Sequence, residues 1–530
     1  MNMKKIFQYI LFFNLICSYS SCDILEVDPK DFTAPDNFYS TEEELTSALY
    51  GVYFYMNDTY IGEYNNIILG DLGTDVTYSR AGEFVPVFQY YNMEAPTIEF
   101  SDAWRVHYTA IGAANMVINR AQKSSVEGTY KDQVIAEAKV LRAYFYHNLV
   151  LLWGDVPLWT DEFDIDVMPT LPRSPKTEVI EQIYDDLDKA IPNLPDNYAP
   201  EQLGRITSWA AKALWARVSL LQSDYQTAYA QANDVIGHSP HALLTNYADV
   251  FDWHNEFNSE LIFVTPRQRD CQGSTIHTSV SPQLNKERVV FDPLFKKGQT
   301  ALRPDGKTVS SSDNLFQGFG NFVSYSSYVN SFEEADTRVG MVSWNSLKMS
   351  NGKTVSLKGI GKSNHYILKW MAFDEPNKNG GRDIHHIRLA ELYLILAEAA
   401  NELDLPEEAV AALNEIRKRA FGNDSHNYKY TNDESYEYKL ADKEAIKEAI
   451  INENKWELGA EGLRRWYLNH WGYDYLYKAL QSLETVNNKG EIVKENEKGL
   501  KNIKPHHVLF KIPAQEFVKN PNLGYNNPGY

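Results

Sequence analysis

Some residue groups in this 530-residue sequence have the side chains that catalysis or metal binding would need. His385 and His386 are adjacent, so on a helix their imidazoles point about 100° apart and share one metal poorly. Residues 361–363 (GKS) match the end of a phosphate-binding loop, but Ser356 stands where that loop requires its first glycine. These residues therefore predict neither a zinc site nor a nucleotide site.

Paired carboxylates are a second possible chemistry, because glycoside hydrolysis uses two of them. Glu391 and Glu398 lie seven residues apart and share one face of a predicted helix. An ion pair with Arg388 or Arg417 explains them better than catalysis. Because carboxylates are abundant in the chain and their separation in space is unknown, a hydrolase stays an alternative.

An acidic loop is the candidate for a bound ion, because calcium prefers oxygen ligands. The loop lacks the glycine of an EF-hand loop, so we predict a solvated loop and no cofactor, with calcium as the alternative. Its carboxylates belong to Asp161, Glu162, Asp164 and Asp166.

The N-terminus indicates export and lipidation. Lys4 and Lys5 precede an apolar run over residues 6–16, and two serines then lead directly to Cys22. This order is typical of a secretory signal, and a cysteine in this place is where a lipoprotein is cleaved and acylated. Bulky Ile16 makes Cys17 a poor alternative cleavage site. We therefore predict a signal peptide over residues 1–21 and a mature chain anchored by lipid at Cys22.

Two alternatives to a lipid anchor are an ordinary secreted protein and a single membrane helix. The departure from the usual lipoprotein pattern is Tyr19, which stands where leucine is common. A membrane helix needs about 20 apolar residues. The apolar run here is shorter and contains Gln8 and Asn14, which favours the signal peptide.

Charge and cysteine content exclude several classes of function. Without Lys4 and Lys5 the formal net charge moves from −20 to −22, and no basic cluster offsets it. Such a surface repels phosphate backbones, so nucleic acid is not an expected partner. Cys271 is the one cysteine left after cleavage and acylation, so the mature chain must be stable by core packing without an internal disulfide.

Helical periodicity dominates the sequence. Residues 134–153 and 176–190 each show apolar residues at three- and four-residue spacing, and helix-ending Gly154 or Pro192 follows. Further helices are predicted over 208–221, 225–236, 384–401, 407–420 and 443–471. A buried strand is predicted over 260–265, and loops with short strands over 238–382. The proline-containing C-terminal tail is expected to wrap the surface.

Two predicted helix pairs share a register of small residues. Ala216 and Ala228 are twelve residues apart, as are Ala397 and Ala409. This interval matches the small positions at which the two helices of a tetratricopeptide (TPR) repeat cross closely. Because about 160 residues separate the pairs, we predict divergent TPR-like hairpins and not a regular array.

A series of motifs runs along the whole mature chain. They include LEVDPKDFTAPDNFY, AEAKVLRAYFYHNLVLLWGDVPL, GRITSWAAKALWARVSLL, SELIFV, DTRVG, HHIRLAELYLILAEAANEL, ALNEIRKRA, INENKWELGAEGLRRWYLNHWG and KIPAQEFVKNPNLGYNNPGY. In this order the motifs resemble the SusD/RagB family of Bacteroidota outer-membrane lipoproteins. Asn452–Asn454 departs from the Glu-Arg usual in that family, and residues 272–369 match only loosely.

The resemblance implies a mostly α fold in which TPR-like helix pairs support a loop-rich ligand-binding region with short strands. It implies an N-terminal region over 22–240 and a C-terminal region over 241–530, whose loops occupy 241–382 and whose helices and tail occupy 383–530. The implied function is a lipid-anchored, cell-surface protein of the outer membrane. Such a protein binds oligosaccharide or polysaccharide without catalysis and passes it to a SusC-like TonB-dependent transporter.

Two segments are predicted to bind the ligand, because aromatic faces stack on sugars and polar side chains bond to hydroxyls. The segment over 71–91 corresponds to the part of the family that supplies ligand contacts, and the second lies in the variable middle. The predicted ligand-binding residues are Asp75, Tyr78, Arg80, Phe84, Tyr91, Tyr325, Tyr328 and Trp344. The alternatives are binding of peptides or another nutrient by the same architecture, and a surface glycoside hydrolase.

Overall fold

The computed structural model describes residues 38–530 apart from 59, 80–84, 95–97, 163–166, 253, 268–299, 303–307, 311–321, 350–351, 357–364, 371–382 and 487–489. Its α-helices are α1 (Glu42–Met56), α2 (Glu63–Gly70), α3 (Glu99–Lys123), α4 (Thr129–Trp153), α5 (Lys176–Ala190), α6 (Ser208–Leu221), α7 (Tyr225–His238), α8 (Ser326–Asn330), α9 (Leu389–Glu402), α10 (Pro406–Phe421), α11 (Lys443–Leu458), α12 (Arg464–Trp471), α13 (Tyr473–Gln481), α14 (Glu497–Asn502) and α15 (Ala514–Lys519).

The strands are short: β1 (Thr77–Ser79), β2 (Leu261–Thr265), β3 (Thr300–Leu302), β4 (Thr308–Ser310), β5 (Phe322–Ser324), β6 (Ser346–Met349), β7 (Thr354–Ser356), β8 (Ile384–Arg388), β9 (Lys429–Tyr430), β10 (Lys439–Leu440), β11 (Glu484–Val486) and β12 (Ile492–Lys494). Antiparallel pairs join β1 to β5 and β2 to β8, and one sheet has the order β4-β3-β6-β7. The predicted mostly α fold with short strands is confirmed.

The long helices form one stack. Along the chain α3 packs on α4, α4 on α5 and α6 on α7, while α9 packs on both α7 and α10. The two helix pairs found in the sequence are therefore neighbours, although the variable middle separates them along the chain. The four alanines that define their register are completely buried, which confirms that the helices cross closely at these positions.

Local signals set the helix ends. The Asp224 side chain accepts a hydrogen bond from the backbone N–H of Thr227 and caps α7, and Thr207 caps α6 in the same way. Helix α4 ends at Gly154, whose φ of 71° is in the region that favours glycine. These signals account for the agreement between prediction and structure at the end of α4 and at the starts of α6 and α7, whereas α4 begins at Thr129, five residues before the predicted start.

Two predicted helices were wrong in part. Residues 384–388 form β8 and not the first turn of a helix, because β2 supplies an antiparallel partner from over 100 residues earlier. His385 and His386 therefore lie on a strand. The helix predicted over 443–471 is interrupted after Leu458, where Gly459 packs on Tyr328; a methyl group on Gly459 would lie 2.2 Å from the Tyr328 hydroxyl.

A network of buried ion pairs joins the variable middle to the C-terminal helices. Glu457 on α11 contacts Arg388 at 2.6 Å, Arg419 at 2.5 Å and Arg338 at 3.3 Å. Burial alone would raise the pKa of Glu457, but the three guanidinium groups outweigh it and hold the pKa well below its usual value. We call this set, together with its further partners, the Glu457 network; the further partners are Glu260, Asp336, Lys369, Glu453 and Glu461.

Replacing Glu457 by glutamine should lower the free energy of unfolding by about 3–5 kcal/mol, because buried guanidinium groups lose the charge that compensates them. Urea denaturation followed by circular dichroism measures this change. Exposed Glu448 on the same helix is the matched control, and its glutamine variant should stay within about 0.5 kcal/mol of the parent. Equal effects of the two substitutions would contradict the role assigned to Glu457.

Candidate functional site

The two segments predicted to bind ligand meet in the structure. Tyr78 on β1 pairs with Val323 on β5, and the backbone N–H of Tyr325 donates to the carbonyl of Val76 at 3.1 Å. The rings of Tyr78 and Tyr325 lie 5.0 Å apart between centroids with an angle of 34° between their planes. A short strand pairing therefore brings together residues that are almost 250 positions apart in sequence.

Trp344 joins the same group through backbone pairing. Its N–H donates to the carbonyl of Tyr366 at 3.0 Å, and the N–H of Tyr366 donates back to Trp344 at 2.9 Å. Tyr366 also forms a bridge with Val323 of β5. Three of the eight predicted ligand-binding residues, Tyr78, Tyr325 and Trp344, thus lie in one cluster of paired strands.

Burial separates these candidates from one another. Tyr78 is half-buried, whereas Tyr325 and Trp344 each have 2 % of their surface exposed. Among the described residues the Tyr325 hydroxyl has no hydrogen-bond partner, and burial raises the pKa of this phenol well above its usual value. Among the described residues of this cluster, Tyr78 is therefore more exposed than Tyr325 and Trp344.

Tyr328 and Tyr91 make contacts inside the protein. The Tyr328 hydroxyl donates to the carbonyl of Lys455 at 3.1 Å. Tyr91 donates to the carbonyl of Gly73, and its ring stacks on His507 with 5.5 Å between centroids. Both are almost completely buried, so the structure supplies a packing role for each, and their contact with ligand stays a prediction.

Asp75 pairs with an arginine. Its carboxylate accepts from Arg464 at 2.8 Å and 3.0 Å in a bidentate arrangement. Burial favours a higher pKa, but the charge of Arg464 outweighs it and the pKa of Asp75 is lowered. The ionised carboxylate is thus bound to Arg464 within the protein. Ligand binding by Asp75 stays a prediction. The remaining predicted residues, Arg80 and Phe84, and the lipidation site Cys22 lie outside the described residues.

Residues from the C-terminal part of the chain contact Tyr90, a second tyrosine close to β1. Gln89 accepts a hydrogen bond from the N–H of Ser79 at 2.8 Å, which places half-buried Tyr90 beside β1. The Lys498 ammonium lies 5.3 Å from the centre of the Tyr90 ring. We call Tyr78, Tyr90 and Lys498 the tyrosine surface.

Glu495 binds the start of α8, the helix that directly follows Tyr325. Its carboxylate accepts from the backbone N–H groups of Ser326 at 3.0 Å and Ser327 at 2.9 Å, at the start of α8. Sequence reasoning missed Glu495 and Lys498, because over 400 residues separate them from Tyr78 and no local pattern marks them. Aromatic faces beside an ammonium group are suited to binding.

The residues considered for catalysis have structural partners. Glu391 pairs with Arg217 at 2.5 Å, and Glu398 accepts from the indole N–H of Trp471 at 2.7 Å. The predicted partners Arg388 and Arg417 were therefore wrong; both bind other carboxylates. Beside Glu391 lies a small cavity of about 40 Å³, which has room for a few water molecules.

The structure describes only Asp161 and Glu162 of the four acidic residues in the acidic loop, so calcium binding there stays untested. Glu162 pairs with Arg120 at 2.8 Å and with Lys123 at 2.9 Å, while Asp164 and Asp166 lie outside the described residues. Among residues whose placement is described, no three His, Cys, Asp or Glu side chains are grouped as metal ligands would be. No helix in the described part of the chain is long and apolar enough to cross a bilayer.

Family models match both ends of the chain. Residues 321–530 match the model described as the SusD family, and residues 23–220 match a SusD-like model described as starch-binding and associating with the outer membrane. A SusD-like protein of Formosa agariphila is 28 % identical over 98 % of each chain. A SusD-like protein of Bacteroides ovatus is 30 % identical over 46 % of each chain.

Solved structures share the fold. A laminarin-binding SusD-like protein superposes with a TM-score of 0.70 at 24 % identity, covering 93 % of this chain and all of the other. Surface glycan-binding protein A from Bacteroides fluxus gives the same TM-score at 22 % identity, with the same coverage of both chains. At this level of identity the comparison establishes the architecture.

Tyr91→Phe and Tyr325→Phe should differ in stability, because within the described part of the chain the first removes a hydrogen bond and the second does not. Loss of the Tyr91 hydroxyl leaves the buried Gly73 carbonyl without its donor and should cost about 1 kcal/mol. The Tyr325 hydroxyl has no partner in the ranges that the structure describes, so its loss should leave the free energy of unfolding unchanged or slightly raised. Chemical denaturation of the two variants measures the difference, and a larger loss for Tyr325→Phe would contradict the hydrogen bonding described.

Proposed function

The chain belongs to the SusD/RagB family, and we propose that it binds oligosaccharide or polysaccharide at the cell surface. It then delivers this ligand to a partner SusC-like TonB-dependent transporter. Names of the relatives support the ligand class, since one solved structure of this fold binds laminarin and another is a surface glycan-binding protein. The tyrosine surface is the proposed place of contact, and the protein acts without breaking bonds.

One observation carries the proposal: strand pairing of β1 with β5 places the half-buried Tyr78 ring over buried Tyr325. A sugar presents an apolar C–H face and a rim of hydroxyls. Tyr78 and Tyr90 supply flat apolar faces with polar hydroxyls, and Lys498 supplies a donor at the edge. Such an open surface gives modest affinity, which suits a protein that must release its ligand to a transporter.

The contacts of the carboxylates favour binding over hydrolysis. A glycosidase needs two carboxyl groups about 5–10 Å apart that are available to the substrate. Asp75, Glu391 and Glu398 are instead each bound to arginine, tyrosine or tryptophan donors within the protein. Peptide binding by the same architecture is the other outcome that the experiment below distinguishes.

Tyr78→Ala should weaken polysaccharide retention about fivefold, because one stacking ring contributes about 1 kcal/mol. Native affinity gels containing single polysaccharides, among them laminarin and starch, measure retention, and peptide libraries test the alternative ligand. Tyr430→Ala is the matched control, since Tyr430 is an exposed tyrosine on β9 that does not belong to the tyrosine surface. Unchanged retention of Tyr78→Ala would remove the tyrosine surface from the binding site, and sugar products released by the parent protein would reveal a hydrolase.

We further propose that acyl chains on Cys22 anchor the mature chain in the outer membrane, facing outward. The basic, apolar and small-residue order before Cys22 supports this, as does the outer-membrane description of the matching family model. Cys22→Ala should move the protein from the membrane to the soluble fraction on cell fractionation, detected by immunoblot. A variant that still sediments with membranes would contradict the anchor.

A further inference from the structure

A groove lies on the helical stack, separate from the tyrosine surface. Its volume is about 560 Å³, within the roughly 300–1,000 Å³ of typical ligand pockets. Helices α1 and α3 form one side, and the segment after α4 together with α15 and the turn that follows it forms the other. The groove and the tyrosine surface have no lining residue in common.

Aromatic side chains form the walls. Trp104 and Tyr108 on α3 lie 5.1 Å apart between ring centroids, and Tyr55 and Trp159 line the same space. Trp159 approaches the α3 backbone closely because position 112 is glycine; a methyl group there would lie 3.2 Å from the indole. Trp104 and Trp159 are almost completely buried, so the half-buried rings of Tyr55 and Tyr108 present the flat apolar faces, and packing fixes them before any ligand arrives.

Charges around the groove cancel in pairs. Lys519 pairs with Glu516 at 2.7 Å, and Arg105 pairs with Asp102 at 3.3 Å. The ammonium and guanidinium groups each keep N–H donors that these single contacts do not use. A neutral ligand with hydroxyl acceptors therefore fits the rim better than an ion of either sign.

We propose that this groove is a second saccharide site, specific for a neutral sugar residue of the polysaccharide. Flat walls would stack on the C–H faces of the ring, and the donors of Lys519 and Arg105 would bond to its hydroxyls. The inference extends the proposed function, because two separate sites on one chain hold a long polymer more tightly than either site alone.

A groove-filling variant tests the site. Thr109 is exposed on α3 and lines the groove, so Thr109→Trp fills the space without changing the core. Retention of the parent is measured in native affinity gels against neutral polysaccharides, including laminarin and starch, and against charged ones. The filled variant should be retained at least threefold less by a neutral polysaccharide that the parent binds.

Two further variants separate filling from unfolding. The double variant Tyr55→Ala with Lys519→Ala removes contacts instead of adding bulk and should weaken retention similarly. Phe54 directly precedes Tyr55 on α1, is exposed and does not line the groove. Phe54→Ala should therefore leave retention unchanged. Thermal unfolding of all variants confirms that they fold.

The outcomes distinguish this site from the tyrosine surface. Loss of retention in both groove variants, but not in Phe54→Ala, supports the second site whatever Tyr78→Ala does. Unchanged retention in the groove variants overturns the second site, even if Tyr78→Ala confirms the proposed function. Retention of charged polysaccharides alone also overturns it. The second site is likewise overturned if Thr109→Trp abolishes binding of a fluorescent fatty acid and leaves retention of sugar unchanged.

Discussion

Burial of Glu457 among three arginines is the constraint on which the rest of the structure depends. The arginines come from the variable middle, from β8 and from α10, while Glu457 lies on α11. A carboxylate and guanidinium groups removed from water must meet in one arrangement, because any unpaired member is costly. The network therefore fixes how the middle of the chain lies against the C-terminal helices.

Helix α8 connects the tyrosine surface to this network. Arg338 follows α8 closely in sequence, and α8 begins directly after Tyr325, whose ring lies against Tyr78. Tyr328 on α8 also reaches the carbonyl of Lys455 on the same helix that carries Glu457. The proposed ligand surface, built on short strands, is thus supported by helices, and this support would reduce the cost of ordering it on binding.

Sequence reasoning located most helices because caps and periodicity are local. It also identified the segments DTRVG, HHIRLAELYLILAEAANEL, ALNEIRKRA and INENKWELGAEGLRRWYLNHWG, which carry most of the Glu457 network, without predicting that their charges meet. The partner of Glu391 is Arg217, 174 residues away, and β8 depends on distant β2. Such pairings depend on the tertiary fold, and so does the burial that separates Tyr78 from Tyr325, Tyr328 and Trp344.

The central claim is that a rigid, preformed surface around Tyr78 holds sugar. A crystal structure of the protein with a bound oligosaccharide, compared with a crystal structure without it, tests this most directly. The account predicts a sugar ring against Tyr78 and a backbone over residues 322–349 that shifts by no more than about 1 Å. A sugar absent from Tyr78, or a rearranged backbone around β5 and α8, would contradict it.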